Sequence, residues 1–126
     1  MRALLLALTF GLLTSPVMAE TLCGKSFDNP AALAIEMLDE PDTELLNHDA
    51  LYFSIAEDKH ERYWTFTRET HPAHPAAICR RLEQVDGELL LDMNISCAGP
   101  KVACDVLVED FKKLNAAMAA DIKRKL

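Results

Sequence analysis

The spacing of apolar residues changes several times along the chain, and each spacing predicts a different element. Between Pro30 and Asp39 apolar residues recur at three or four positions, which is typical of an amphipathic helix. Asp28 or Asn29 can cap this helix, and the proline suits its first position. Pro41 ends the pattern, and residues 42–49 are expected to form a loop or one short turn.

After residue 50 apolar residues alternate with others at period two, which predicts β-strands. The Asp-Gly pair at 86–87 is a strong hairpin signal. A two-residue turn there places Leu82 opposite Leu91 and Ile78 opposite Ile95, so that the apolar faces of the two strands match. The four expected strands cover residues 51–56, 62–69, 76–85 and 88–97.

The last element is a helix over residues 101–123, because apolar residues again recur at three and four positions. The order of elements predicts an α+β fold. We expect a four-stranded antiparallel β-meander, with the N-terminal helix and the long C-terminal helix packed on one face of it.

The opening segment has the order of a secretory signal peptide. Arg2 provides the positive charge, residues 3–13 are mainly apolar, and the small residues Val17 and Ala19 precede the expected cleavage site. The apolar stretch is too short for a spanning helix, which needs about 20 residues. The predicted division is residues 1–19 as a signal peptide cleaved after Ala19, and residues 20–126 as one exported domain, periplasmic or secreted.

An even number of cysteines in a short exported chain predicts a disulfide framework. Four cysteines allow three pairings. We favour Cys97 with Cys104, because a turn at residues 98–100 separates them, and Cys23 with Cys79, which would pin the N-terminal segment to the sheet. Each bridge would add about 2–4 kcal/mol, which is a large share of the stability of a domain of this size.

Charge narrows the class of partner. Without Arg2 the domain has 12 basic and 20 acidic residues, a net charge of −8. Such a domain repels nucleic acids and anionic lipid surfaces, so we expect neither nucleic-acid binding nor membrane insertion. The charge suits a basic protein partner, although acidity also serves solubility. The sequence has no cofactor motif, and we expect no cofactor.

The sequence offers two weak candidates for chemistry on the sheet and its loops. His71 and His74, on a loop with two prolines, could share a copper or zinc ion, but two ligands fall short of the usual four. Arg80 shares a face with Ile78 and Leu82, which is unusual for a charged residue. We interpret Arg80 as a sheet-edge side chain or an ion-pair partner of Asp92, Glu69 or Glu83, in preference to an anion-binding site.

Aromatic residues and one arginine on the strands form the candidate interface. Tyr and Trp are common anchors of protein interfaces, and a one-sided sheet would leave its other face open. The candidate interface residues are Tyr52, Tyr63, Trp64 and Arg81.

Catalysis has no support in the sequence. The cysteines are expected to be oxidised, and the serines lack a nucleophile-elbow setting. We therefore expect a binding protein without catalytic activity, such as an inhibitor or immunity protein against a basic secreted protein. The alternative is a copper- or zinc-handling protein that uses the His71–His74 loop.

Overall fold

The computed structural model describes residue 11 and residues 19–125. The predicted signal peptide therefore lies almost entirely outside the described residues. In chain order the elements are β1 (Glu20–Leu22), β2 (Lys25–Phe27), α1 (Pro30–Asp39), β3 (Glu44–His48), β4 (Tyr52–Glu57), a 3₁₀ turn (Asp58–His60), β5 (Arg62–Thr67), β6 (Ala76–Val85), β7 (Glu88–Cys97) and α2 (Lys101–Lys125).

The main sheet has five antiparallel strands in the order β3-β4-β5-β6-β7, so the prediction of four strands was wrong. The additional strand is β3, in the segment that we expected to be a loop. A register shift between Leu45 and Asn47 interrupts its pairing with β4, and all five of its residues are exposed. Because no face of β3 is buried, its sequence shows no alternation of apolar and polar residues, and the strand could not be recognised from the pattern. A separate two-stranded hairpin, β1-β2, precedes the sheet.

The β6-β7 hairpin has the predicted register. Leu82 pairs with Leu91, and Ile78 pairs with Ile95. Both residues of the turn, 86 and 87, have positive φ, which is the conformation that an Asp-Gly turn adopts to join two strands with a right-handed twist. The sequence was sufficient to predict the register of this hairpin, because the turn residues and the apolar pattern of the two strands favour the same pairing.

The two helices lie on opposite faces of the sheet, and the prediction that they share one face was wrong. On the first face, α1 and the β1-β2 hairpin bury a core that includes Leu33, Met37, Trp64 and Phe66. On the second face, α2 packs Leu107 and Phe111 against Ala76 and Ile78. The cause is visible in β6, whose first four residues are apolar without alternation, as expected for a strand covered on both sides.

Two disulfides join the helical layers to the sheet, with the pairing favoured from the sequence. The long-range disulfide, Cys23–Cys79, links the β1-β2 hairpin to β6 on the first face. The local disulfide, Cys97–Cys104, links the end of β7 to the start of α2. Disulfides persist in oxidising compartments, and this fits an extracellular or periplasmic location.

Helix α1 begins at the predicted residue because its cap is satisfied. The side chain of Asn29 accepts a hydrogen bond from Ala32 N at 2.9 Å, and Pro30 occupies the first turn. Over the described ranges, neither helix has an apolar segment of the length that crossing a membrane requires.

Candidate functional site

The four predicted interface residues do not form one surface. Trp64 is completely buried against α1 and the hairpin, so it is a core residue and its prediction as a surface anchor was wrong. Its indole N–H donates to Glu57, a buried acceptor, which satisfies the one polar atom of the ring. Tyr52 and Tyr63 are on the second face, whereas Arg81 is on the first.

Arg81 is an ordinary surface ion-pair residue. Its Nη2 lies 2.8 Å from Glu83 Oε1 and 4.0 Å from Asp92 Oδ2, and all three side chains are about two-fifths exposed. Exposed pairs of this kind contribute little to stability. Two of the three carboxylates proposed from the sequence as partners of Arg80, Glu83 and Asp92, are thus used by its neighbour.

The His71 ring is held by hydrogen bonds at both nitrogens. Ala73 N–H donates to Nδ1 at 2.9 Å, so the neutral ring carries its proton on Nε2, 2.7 Å from the Tyr52 hydroxyl. Burial, with a smaller effect of the charge on His74, lowers the pKa of His71. A metal ion at either nitrogen would have to replace one of these bonds.

His74 faces away from this arrangement. Its Nδ1 donates to the Thr67 carbonyl at 3.0 Å, which leaves Nε2 as the nitrogen with a lone pair. Within residues 19–125 there is no group of three or more His, Cys, Asp or Glu side chains placed to hold one metal ion. The loop therefore presents one imidazole nitrogen rather than a pair.

A groove of about 660 Å³ lies on the first face, between α1 and the β3-β4 end of the sheet. We call it the α1-β3 groove. Three apolar side chains on its walls are half or more exposed: Ile35 at 67%, Leu38 at 53% and Leu45 at 52%. Phe53 and Phe66 also line the groove, together with the polar side chains of His48, Arg68 and His74.

The sequence reading missed this groove, although α1 carries a signal for it. Leu33 and Met37 form the stripe that faces the core, whereas Ile35 and Leu38 lie outside that stripe. A helix that is apolar on more than its core face is either buried by a further element or presents an apolar surface. The second wall could not be foreseen, because β3 was expected to be a loop.

One wall of the groove ends in an unpaired strand edge. In the described sheet β3 is an outer strand, paired only with β4. Its other edge presents backbone N–H and C=O groups that another strand could pair with. An edge strand next to an apolar groove can bind an extended peptide by its backbone and by alternate side chains.

The charged side chains that line the groove are mixed in sign. They include one carboxylate, Glu69, and one guanidinium, Arg68. Outside the lining, Lys25 lies 3.4 Å from Glu36 and 3.2 Å from Glu40. The negative charge therefore belongs to the domain as a whole and is not concentrated in the groove lining.

Comparison with known proteins assigns the chain to no group: no family model, no curated protein and no solved structure matches it.

Proposed function

We propose that the mature domain is an exported binding protein without catalytic activity, and that it holds an extended basic segment of a partner protein in the α1-β3 groove. The observation that carries the proposal is the position of an exposed apolar groove directly beside the unpaired edge of β3. The segment would add a strand to β3 and place alternate side chains in the groove.

Charge favours a basic occupant. The domain as a whole has a net charge of −8 without Arg2, and it would attract a segment rich in lysine and arginine. An inhibitor or immunity protein against a basic secreted protein has these properties. Electrostatic attraction would raise the association rate and would weaken with added salt.

Two synthetic peptides of equal apolar content test the proposal. One alternates valine with lysine and the other alternates valine with glutamate. Fluorescence anisotropy should show binding of the basic peptide alone. An Ile35→Glu/Leu45→Glu variant should lose this binding, whereas Val85→Glu, which changes an equally exposed apolar residue on the distant β6-β7 hairpin, should keep it.

Methylation of the backbone nitrogens of the basic peptide separates strand addition from general charge attraction. N-methyl groups on alternate residues remove the donors that would pair with β3, so binding should fall strongly. Equal binding of basic and acidic peptides, or equal loss in the groove variant and Val85→Glu, would contradict the proposal.

The alternative, copper or zinc handling by His71 and His74, has less support because both nitrogens of His71 are already hydrogen-bonded. Calorimetric titration of the wild type and a His71→Ala/His74→Ala variant with each metal separates the two functions. Metal binding that disappears in the double variant, together with no peptide binding, would favour the alternative.

A further inference from the structure

Arg80 is a buried cation without a partner. It lies on β6 in the second face, with 7% of its surface exposed. Its Nε and Nη2 atoms are buried, and neither has a hydrogen-bond partner among the described residues. The guanidinium carbon lies 5.1 Å from the centre of the Phe111 ring, which supports the charge from one side only.

The other arginines of the central strands show how this chain satisfies a guanidinium. Arg62, also largely buried, donates from Nη1 to the Cys23 carbonyl at 2.6 Å and from Nη2 to Glu57 Oε2 at 3.0 Å. Arg81 has Glu83. Both also leave Nε without a partner, but each has a carboxylate, whereas Arg80 has neither a carboxylate nor a hydrogen bond among the described residues. Burial lowers the pKa of Arg80 because the charged form loses solvation.

Arg80 lines two adjoining cavities, of about 380 Å³ and 350 Å³, between α2 and the β3-β4 end of the sheet. Both cavities are also lined by Asn47, Ser54 and Thr65, so their shared wall is polar. The hydroxyls of Ser54 and Thr65 lie 3.1 Å apart; one donates to the other, and the O–H of the acceptor remains free to donate.

The smaller cavity is apolar away from this shared wall. Its lining continues along the second face and the C-terminal half of α2, where Met118 is partly exposed. A polar centre with one buried cation and an apolar extension has the form of a site for a small amphiphile. The apolar lining consists of Leu46, Leu82, Leu91, Met118 and Ile122.

We propose that this second-face cavity binds a carboxylic acid with a long apolar chain, with its carboxylate on Arg80 and its chain between Leu82, Leu91 and α2. A planar guanidinium pairs with a carboxylate through two parallel hydrogen bonds. One cation neutralises a monoanion, whereas a dianionic headgroup would retain a negative charge within a strongly acidic domain. The site is separate from the α1-β3 groove, which lies on the other face.

Isothermal titration with sodium dodecanoate tests the site. We expect one molecule bound per domain, and a loss of affinity of about 10- to 100-fold in Arg80→Met, since a hydrogen bond to a charged group is worth that factor. Arg81→Met is the matched control, because it removes the neighbouring guanidinium on the other face; it should bind dodecanoate like the wild type. Dodecanol should bind more weakly than dodecanoate by a similar factor.

Two further variants separate the site from folding and from the proposed function. Met118→Asp keeps Arg80 but places a charge in the apolar part of the cavity, and it should weaken dodecanoate binding. The groove variant Ile35→Glu/Leu45→Glu should leave dodecanoate binding unchanged, whether or not it binds the basic peptide.

Thermal unfolding without ligand provides the second readout. Because Arg80→Met removes a buried charge that the described fold leaves unpaired, it should not lower the melting temperature. A markedly lower melting temperature would show that Arg80 is satisfied within the protein, and the proposal would fail. Equal dodecanoate binding by wild type and Arg80→Met, or no binding by the wild type, would also overturn it.

Discussion

Replacing Glu57 by glutamine should destabilise the domain far more than replacing any exposed carboxylate. Glu57 is buried at the end of β4 and accepts hydrogen bonds from Arg62 Nη2 and from the Trp64 indole. Arg62 in turn donates to the Cys23 carbonyl at 2.6 Å, so the ion pair connects the sheet to the β1-β2 hairpin. Glutamine keeps an acceptor for the indole but leaves Arg62 as a largely buried cation without a counter-charge.

The magnitude follows from the burial of both partners, whose side chains are 7% and 13% exposed. Removing one member of a buried ion pair costs about 3–5 kcal/mol, and the retained indole acceptor favours the lower end, about 3 kcal/mol. With a urea dependence of about 2 kcal/mol per molar, typical of small domains, the unfolding midpoint should fall by about 1.5 M. This is a large share of the roughly 5–15 kcal/mol that stabilises a domain.

Urea unfolding followed by far-ultraviolet circular dichroism measures this change. Fluorescence is less suitable, because the only tryptophan of the chain, Trp64, is hydrogen-bonded to the mutated residue. Glu83→Gln is the matched control, since it breaks the exposed pair with Arg81 and should cost less than about 1 kcal/mol. Adding Arg62→Met to Glu57→Gln should recover part of the loss, because the orphaned charge is then removed. If Glu57→Gln costs no more than Glu83→Gln, the ion pair is not the stabilising element described here.

Three smaller predictions concern the connections between layers. Replacing both cysteines of the long-range disulfide by alanine should lower the free energy of unfolding by roughly 4 kcal/mol, because this disulfide spans 56 residues. The same change at the local disulfide, which spans 7 residues, should cost roughly 2 kcal/mol. Urea unfolding without reductant compares the two variants. Gly99→Ala should lower the melting temperature, at a cost of about 1–3 kcal/mol, because the new Cβ would lie 2.6 Å from the Ala73 carbonyl carbon; an unchanged melting temperature would contradict this. Because burial lowers the folded pKa of His71, the unfolded chain takes up the proton first as the pH falls through about 6.5, and stability should decrease until the lower folded pKa is passed. A His71→Phe variant should lose this pH dependence in unfolding experiments, whereas His60→Phe, in an exposed turn, should retain it.

Local signals in the sequence were sufficient where turn chemistry and apolar spacing agree. Asn29 and Pro30 predicted the start of α1, and Pro41 predicted its end. The turn at residues 86–87 predicted the register of β6 and β7. The local disulfide could be predicted because only a short turn separates its cysteines. These features depend on interactions between residues that are close in the sequence, so they can be predicted without knowing the tertiary structure.

The position of the helices relative to the sheet depended on distant partners. The assumption of a one-sided sheet led to Trp64 being assigned to a surface, although both faces of β5 are buried at that level. The unalternating start of β6 was the available signal, but the prediction used only the face of β6 that carries Ile78, Arg80 and Leu82. Strand β3 could not be found, because its exposed residues and shifted register give no periodicity.

The state of Arg80 could have been derived from the predicted register. If Leu82 pairs with Leu91, then Asp92 lies opposite Arg81, and Arg80 lies opposite Met93. The carboxylate is therefore on the other face from Arg80, since paired residues of two antiparallel strands point to the same side. The proposed ion pair with Asp92 was already excluded by the register that the turn predicts.

Strand β3 belongs to both proposed sites. Leu45 lines the α1-β3 groove, whereas Leu46 and Asn47 line the second-face cavities, so one edge strand contributes to both faces. A peptide strand paired with β3 would restrain the backbone that carries Asn47, and a carboxylate on Arg80 would restrain it from the other side. If either occupant favours one conformation of β3, the affinities must be coupled, and by thermodynamic linkage the factor must be the same in both directions. Titrating dodecanoate with and without the basic peptide, and the peptide with and without dodecanoate, should therefore give equal ratios. Affinities that stay the same in both titrations would show that β3 does not couple the two sites, and mutual exclusion of the two ligands would contradict their placement on opposite faces.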